Sequence, residues 1–206
     1  LRAKFKTLKE QNDKDFAYSL GWDIGENLLS NGITELDAAS FTQGIEDFLK
    51  GNSPAIDGNT MRAIIQSKLS EIQQNASKFA RQAGEEFLAQ NAKRSGVVVT
   101  ESGLQYEVIT EGSGPRPGPR DQVTTHYHGT LIDGSVFDSS VERGEPATFP
   151  VNGVISGWVE ALQMMNQGSK WRLFIPPDLG YGGQAAGSIA PWSTLVFDVE
   201  LIKVHN

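Results

Sequence analysis

"QVTTHYHGTLIDGSVFDSS", residues 122–140, decides how the rest of the chain is read. β-Branched and aromatic residues fill the run up to Leu131, and Asp133-Gly134 is a strong hairpin signal. The stretch therefore reads as a strand, a tight turn and a returning strand. The return holds an unusual pair of neighbours, the large ring of Phe137 beside the carboxylate of Asp138, with Arg143 five positions on. In a regular strand adjacent side chains point to opposite faces, which would leave Phe137 buried and Asp138 in water. A bend just after Phe137 would let both line one cavity. An oily wall and one fixed carboxylate, with no nucleophile nearby, is the chemistry to be explained.

Strand signals continue on both sides. "GVVVTESGLQYEVI" (96–109) reads as two short strands around a Ser-Gly turn, and the Pro/Gly-dense "EGSGPRPGPRD" (111–121) as a loop. That loop lacks the lysine and the following helix of a phosphate-binding loop. "GVISGWVEALQMM" (153–165) is a short apolar helix, followed by the strands "SKWRLFI" (169–175) and "STLVFDVELIKV" (193–204). In the last strand Leu195, Phe197, Val199 and Leu201 share one face. Strands wrapped on one short helix make an α+β domain.

Upstream, from Asp13 to Asn91, the period is helical. Ala17, Leu20, Ile24 and Leu28 recur every three or four residues, and Ser30 to Gly32 is a glycine stop. Asp37 is placed to cap "AASFTQGIEDFLK", with Gly51 just past its end. Met61, Ile65, Leu69, Ile72, Ala76, Phe79, Ala83 and Phe87 form one stripe along a long third helix, about residues 60–92, roughly 45 Å long. Helices 1 and 2 read as short segments unable to bury much alone, and Gly21 and Gly25 form a small-xxx-small pair. This half, residues 1–95, is read as a helical dimerisation domain, and residues 96–206 as the α+β domain.

Composition removes several functions. Net charge is −7; residues 1–95 carry 12 basic and 13 acidic side chains, and residues 96–206 carry 6 and 12. Neither half offers the basic face that nucleic acid needs. Cysteine is absent, which removes disulfides, thiol catalysis and thiolate metal sites. No apolar run approaches the ~20 residues of a membrane span. "LRAKFKTLKEQND" holds no signal-like apolar region, and the lack of an initiator Met leaves room for a removed leader; a bacterial cytoplasm or periplasm both remain open. His126 and His128 form an H-x-H pair on one strand face, two ligands short of a complete metal set.

The order "VTTHYHGTLIDGSVFDSS", "GVISGWVEALQMM", "GSKWRLFIPPDLGYG", "STLVFDVELIKV" resembles the FK506-binding proteins, the FKBP family of peptidyl-prolyl cis–trans isomerases, over about residues 97–204. The helical half, through "YSLGWDIGENL", "FTQGIEDFLKG" and "AGEEFLAQNAKRSGV", is similar to the arm of the bacterial macrophage-infectivity-potentiator and FKBP22-like proteins. The resemblance implies a curved antiparallel sheet half-wrapped around a short helix, with an apolar pocket between them. It implies Trp158 as pocket floor and Tyr127, Phe137, Asp138, Phe149, Val154, Ile155, Tyr181 and Phe197 as walls. Ile189 aligns with a further wall position, and Arg143 and Tyr127 are implied to orient the Asp138 carboxylate. His126 is implied to be structural, and Gly182, Gly183 and Gly187 to form a flexible flap. Ala147, Ala190 and Trp192 depart from the family pattern, which bears on substrate preference and macrolide affinity. The implied activity needs no cofactor or metal. Its partners would be unfolded or partly folded proline-containing polypeptides, FK506- or rapamycin-type inhibitors, and a second copy of the chain through residues 1–55. The competing reading is a docking module or chaperone that binds proline segments without turning them over.

Overall fold

A computed structural model describes residues 2–205, with side chains from Glu10 onward. Three helices come first: α1 (Arg2–Ser30), α2 (Ala38–Lys50) and α3 (Gly58–Asn91). Strands β1 (Val97–Val99), β2 (Gln105–Thr110), β3 (Gln122–Leu131) and β4 (Val136–Ser139) follow. The one-turn helix α4 (Ser140–Arg143), β5 (Ala147–Pro150), α5 (Ser156–Met164), β6 (Lys170–Ile175) and β7 (Leu195–His205) complete the order. The chain forms two compact units, one ending at Gln74 and the other beginning at Asn75. The second unit thus takes in the last turns of α3 as well as all seven strands.

In the first unit the caps expected from sequence are in place. The Ser40 N–H donates to Asp37 Oδ1 at 2.7 Å, and Gly51, at φ 71°, ends α2 in the left-handed region that a side chain would disfavour. Helix α1 is not short: it runs for 29 residues. The stretch before Asp13 is rich in Lys, Glu, Gln and Leu, which favour helix without writing an apolar stripe. From Glu10 to Gln74 no residue is buried, and Phe48, Leu49, Phe16 and Trp22 are all more than half exposed.

In the second unit the sheet order is β1-β2-β6-β7-β3-β4, with β5 also paired to β3. Every pairing is antiparallel. Strand β7 runs through the centre, and Leu195, Phe197, Val199 and Leu201 all face the core. Helix α5 covers that face with Trp158, Ala161 and Leu162 buried. On the N-terminal side Phe87 of α3 lies against Phe174, ring centroids 5.9 Å apart. Gly84 is buried beside Thr194, so close that a Cβ there would overlap the threonine hydroxyl. The buried Asn91 amide donates to Gln105 Oε1 at 2.8 Å, while Gln105 Nε2 donates to the Leu88 carbonyl at 3.0 Å. These contacts explain why the unit begins inside the helix, although the change of period falls near residue 95.

Candidate functional site

The Phe137–Asp138 pair sits on an irregularity in the hairpin. Thr130 pairs with Val136 and Gly129 with Asp138, which leaves Phe137 without a partner on β3. An extra residue of this kind bends the strand and re-aims its side chains, so neighbours that a flat strand would separate both line one cavity. The bend falls at Phe137 itself rather than after it. Strand β4 then turns directly into α4, capped by Ser139, whose hydroxyl accepts from the Glu142 N–H at 3.2 Å. That single turn carries Arg143 back over the strand.

The cavity measures about 470 Å³ and is lined by Tyr127, Phe137, Asp138, Phe149, Gly153, Val154, Ile155, Trp158, Tyr181 and Phe197. That volume is within the roughly 300–1,000 Å³ usual for small-ligand sites. Trp158 is 4% exposed and anchors a set of edge-on rings. Phe197 lies 5.2 Å from it at 84°, Tyr127 5.4 Å at 86°, and Phe149 5.5 Å at 63°. Phe137 extends the set, 5.3 Å from Phe197 and perpendicular to it within a few degrees. Edge-to-face packing of this kind fixes each ring against its neighbours. Ile155 caps the start of α5, and among the described residues its N–H makes no hydrogen bond. It is therefore a free donor at a helix start. Tyr181 follows a 3-10 turn (Pro177–Leu179) and stands at the mouth, 41% exposed.

One closed polar triangle marks the rim. The Tyr127 hydroxyl donates to Asp138 Oδ2 at 2.6 Å and accepts from Arg143 Nη2 at 2.8 Å. Arg143 Nη1 donates to the other carboxylate oxygen, and the guanidinium lies 5.6 Å over the Tyr127 ring. Burial opposes the charge on Asp138, but the hydrogen bonds from Tyr127 and Arg143 and the arginine's charge outweigh it, holding the carboxyl below its ordinary value of 3.8. Burial, then the bond to Asp138, raises the Tyr127 hydroxyl. A carboxylate with both oxygens engaged by its own protein is a fixed dipole rather than a mobile base.

Ten of the eleven side chains singled out from sequence thus meet here, Arg143 through its contacts to Asp138 and Tyr127. Ile189 does not line the cavity. It is 4% exposed within the core and paired backbone to backbone with Ala186. His126 and His128 each meet a serine of the β4–α4 junction, Ser140 at 3.1 Å and Ser139 at 2.9 Å. Among the described residues no cluster of three or more His, Asp or Glu side chains could hold a metal.

Sequence reading gave Gly129 no role. A Cβ there would stand 2.7 Å from Phe197 Cε1 and 2.8 Å from Phe137 Cε2 and Cζ. The two rings pack down onto bare backbone, so this glycine makes room for the apolar wall. Its only sequence signal is a glycine inside a strand pattern, which marks close approach or a bulge.

Residues 114–202 match the family model for FKBP-type peptidyl-prolyl cis-trans isomerases, and residues 13–108 the model for the domain amino-terminal to them. The chain is 47% identical over 196 residues to the FKBP-type 22 kDa peptidyl-prolyl cis-trans isomerase of Escherichia coli, covering 91% of this chain and 93% of that one. It is 40% identical to the outer membrane protein MIP of Legionella longbeachae, over 94% of this chain and 87% of the relative. Among solved structures, that of FkpA from Escherichia coli superposes with a TM-score of 0.68 at 34% identity, covering 94% of this chain and 96% of the other.

Proposed function

The chain belongs to the FKBP-type peptidyl-prolyl cis–trans isomerases, and on that premise we propose how its own residues perform the rotation and which surfaces serve it. An Xaa-Pro bond resists rotation by about 18–20 kcal/mol through amide resonance, and unaided it turns over in tens to hundreds of seconds. No covalent step is needed. Water stabilises the planar, charge-separated amide more than the twisted one. Moving the bond into an aromatic cavity raises the planar form relative to the twisted form. Phe137 holds the proline ring over the Trp158 floor, with Tyr127, Phe149, Val154 and Phe197 excluding water. The Ile155 N–H takes one substrate carbonyl and the Tyr181 hydroxyl the other. Asp138, fixed by Tyr127 and Arg143, presents a constant negative dipole to the twisting amide. Groups that favour the twisted amide over the planar one lower the barrier, and about 1.4 kcal/mol is tenfold in rate.

The observation that carries this reading is the convergence of six aromatic rings and one immobilised carboxylate on a single cavity. Its test is protease-coupled isomerisation of a Leu-Pro or Phe-Pro tetrapeptide with FK506 added. Competitive loss of rate supports the reading; an active enzyme that binds no macrolide at tens of micromolar opposes it.

The arm supports a second surface. A helical unit with no buried residue from Glu10 to Gln74 has no core of its own, and helices of this kind depend on packing partners. A cleft of about 480 Å³ opens over Tyr18, Gly21, Trp22, Gly25 and Leu29, and nothing lies within 4 Å of where a Cβ on either glycine would stand. A second copy of this chain fills these faces, making a homodimer through residues 1–55, of which the side chains before Glu10 lie outside the described residues. Two pockets in one dimer hold an unfolded proline-containing client at two points, which raises effective concentration without a new contact. The chain folds clients in a bacterial cell, in the cytoplasm or periplasm. Among the described residues no helix is long and apolar enough to cross a membrane.

A further inference from the structure

Tyr181 lines the cavity as an exposed residue, and from it the chain runs on into a glycine-rich loop. From Gly182 to Ser188 every residue is exposed or half-exposed, and Gly182 and Gly187 take positive φ. Three attachments hold this loop. At its neck the Gly182 N–H donates to the Pro177 carbonyl at 2.9 Å, while the Gly182 carbonyl accepts from the Trp192 N–H at 2.7 Å. In its middle Ala186 and Ile189 exchange bonds of 3.1 and 3.0 Å, with Ile189 sunk in the core. The third is the Trp192 indole. A Cβ on Gly183 would stand 3.0 Å from Trp192 Cζ2 and 3.2 Å from Cε2, so the ring lies directly against the loop. The same ring carries the Arg81 guanidinium of α3, 5.0 Å from its centroid.

Trp192 is also the one non-glycine residue at positive φ, 65°, among the described residues. Bulky residues avoid this region, and such strain persists where surrounding contacts over-determine it. Here the contacts are the neck bond, Gly183 and Arg81. Two positions on, buried Thr194 is locked against Gly84 of α3, so helix and loop meet along a continuous seam within the second unit.

We propose that Trp192 is a positioning residue, fastening the mouth loop and with it Tyr181 to the last turns of α3 through Arg81, so that the helix sets how tightly the pocket holds an Xaa-Pro segment. This rests on Tyr181 meeting the substrate, as assigned above. A loop released from the helix must be ordered at each binding event. The loss then falls on KM, while the walls that act on the twisting bond are untouched.

The test uses the full chain and a Leu-Pro tetrapeptide, with kcat and KM measured separately for wild type, Trp192→Ala, Trp192→Phe, Arg81→Ala and, for reference, Tyr181→Ala. Trp192→Ala raises KM about five- to tenfold with kcat within about twofold, and Arg81→Ala raises it about two- to threefold, as a cation–π contact of this kind implies. Trp192→Phe, which keeps an aromatic face, returns KM close to wild type. If Tyr181→Ala raises KM while Trp192→Ala and Arg81→Ala leave it unchanged, the clamp is overturned and the pocket assignment stands. If Tyr181→Ala leaves KM unchanged, the pocket assignment fails and takes the clamp with it. A fall in kcat at constant KM also overturns the proposal. Should Trp192→Ala not fold, Arg81→Ala, at an exposed position, decides alone.

Discussion

Replacing Gly129 with alanine places a methyl group 2.7 Å from Phe197 Cε1 and 2.8 Å from two atoms of Phe137. Carbon atoms prefer about 3.5–4.0 Å, so one or both rings must retreat by roughly 1 Å. Phe197 cannot: it is 5% exposed and boxed by Trp158, Tyr127 and Phe137. Phe137 is half-buried at the cavity wall and can swing outward. Overpacking of this kind costs about 1–3 kcal/mol, which lowers Tm by roughly 2–4 °C per kcal/mol in a chain of this size. A shift of about 1 Å in a positioning wall lowers turnover by as much as ~100-fold. The expectation for Gly129→Ala is therefore modest destabilisation with at least a tenfold fall in kcat/KM on a Leu-Pro tetrapeptide. Urea unfolding and the coupled assay measure the two effects separately. In a Phe137→Ala background two of the three close contacts disappear, so the stability cost of the added methyl falls by about 1 kcal/mol or more. Full activity in Gly129→Ala, or an unchanged cost in the double variant, refutes the claim that this glycine makes room for the wall.

Three further outcomes follow from the same geometry. Asp138→Ala should weaken turnover and macrolide affinity together, because one carboxylate serves both; isothermal titration beside the kinetic assay would separate them if it did not. Since the folded-state pKa of Asp138 lies below 3.8, the folded chain binds fewer protons there than the unfolded chain. Its contribution to stability is full above that value and is lost as pH falls through the lower, folded one. The stability gap between wild type and Asp138→Asn should accordingly narrow below about pH 4, and a gap constant from pH 7 to pH 2 would be inconsistent with a charged Asp138 in the fold. Light scattering should give a dimer for the full chain and a monomer for residues 75–206, with that fragment keeping tetrapeptide turnover but losing efficiency in proline-limited refolding of a whole protein. A monomeric full chain would leave the arm without the role proposed here.

Much of this was legible in the residues. Asp37 and Gly51 mark α2 to the residue because caps are chemical signals, and β7 declares its buried face because strict alternation has no helical counterpart. Asp133-Gly134 fixes the hairpin. What stayed hidden has physical reasons. Strand β5 is four residues ending in a proline, too short for alternation to register. The single turn of α4 has no period at all. Phe137 and Asp138 line the same cavity through a bulge, which is a property of the pairing with β3 and not of the two residues. Ile189 aligns with a wall position, whereas in the fold it pairs with Ala186 and is buried in the core. The seam of Gly84, Phe87 and Asn91 against the sheet is invisible in a helix stripe, which shows which face is apolar but not what covers it.

In the mechanism proposed above, the Xaa-Pro bond turns in the cavity around Phe137. Its most direct test is kcat/KM for cis-to-trans isomerisation of a Leu-Pro tetrapeptide by wild type and Phe137→Ala, with folding of both checked by near-UV circular dichroism. Wild type should accelerate isomerisation well above the uncatalysed rate, and folded Phe137→Ala should lose at least tenfold, about 1.4 kcal/mol of transition-state stabilisation. An unchanged kcat/KM in the folded variant would contradict it.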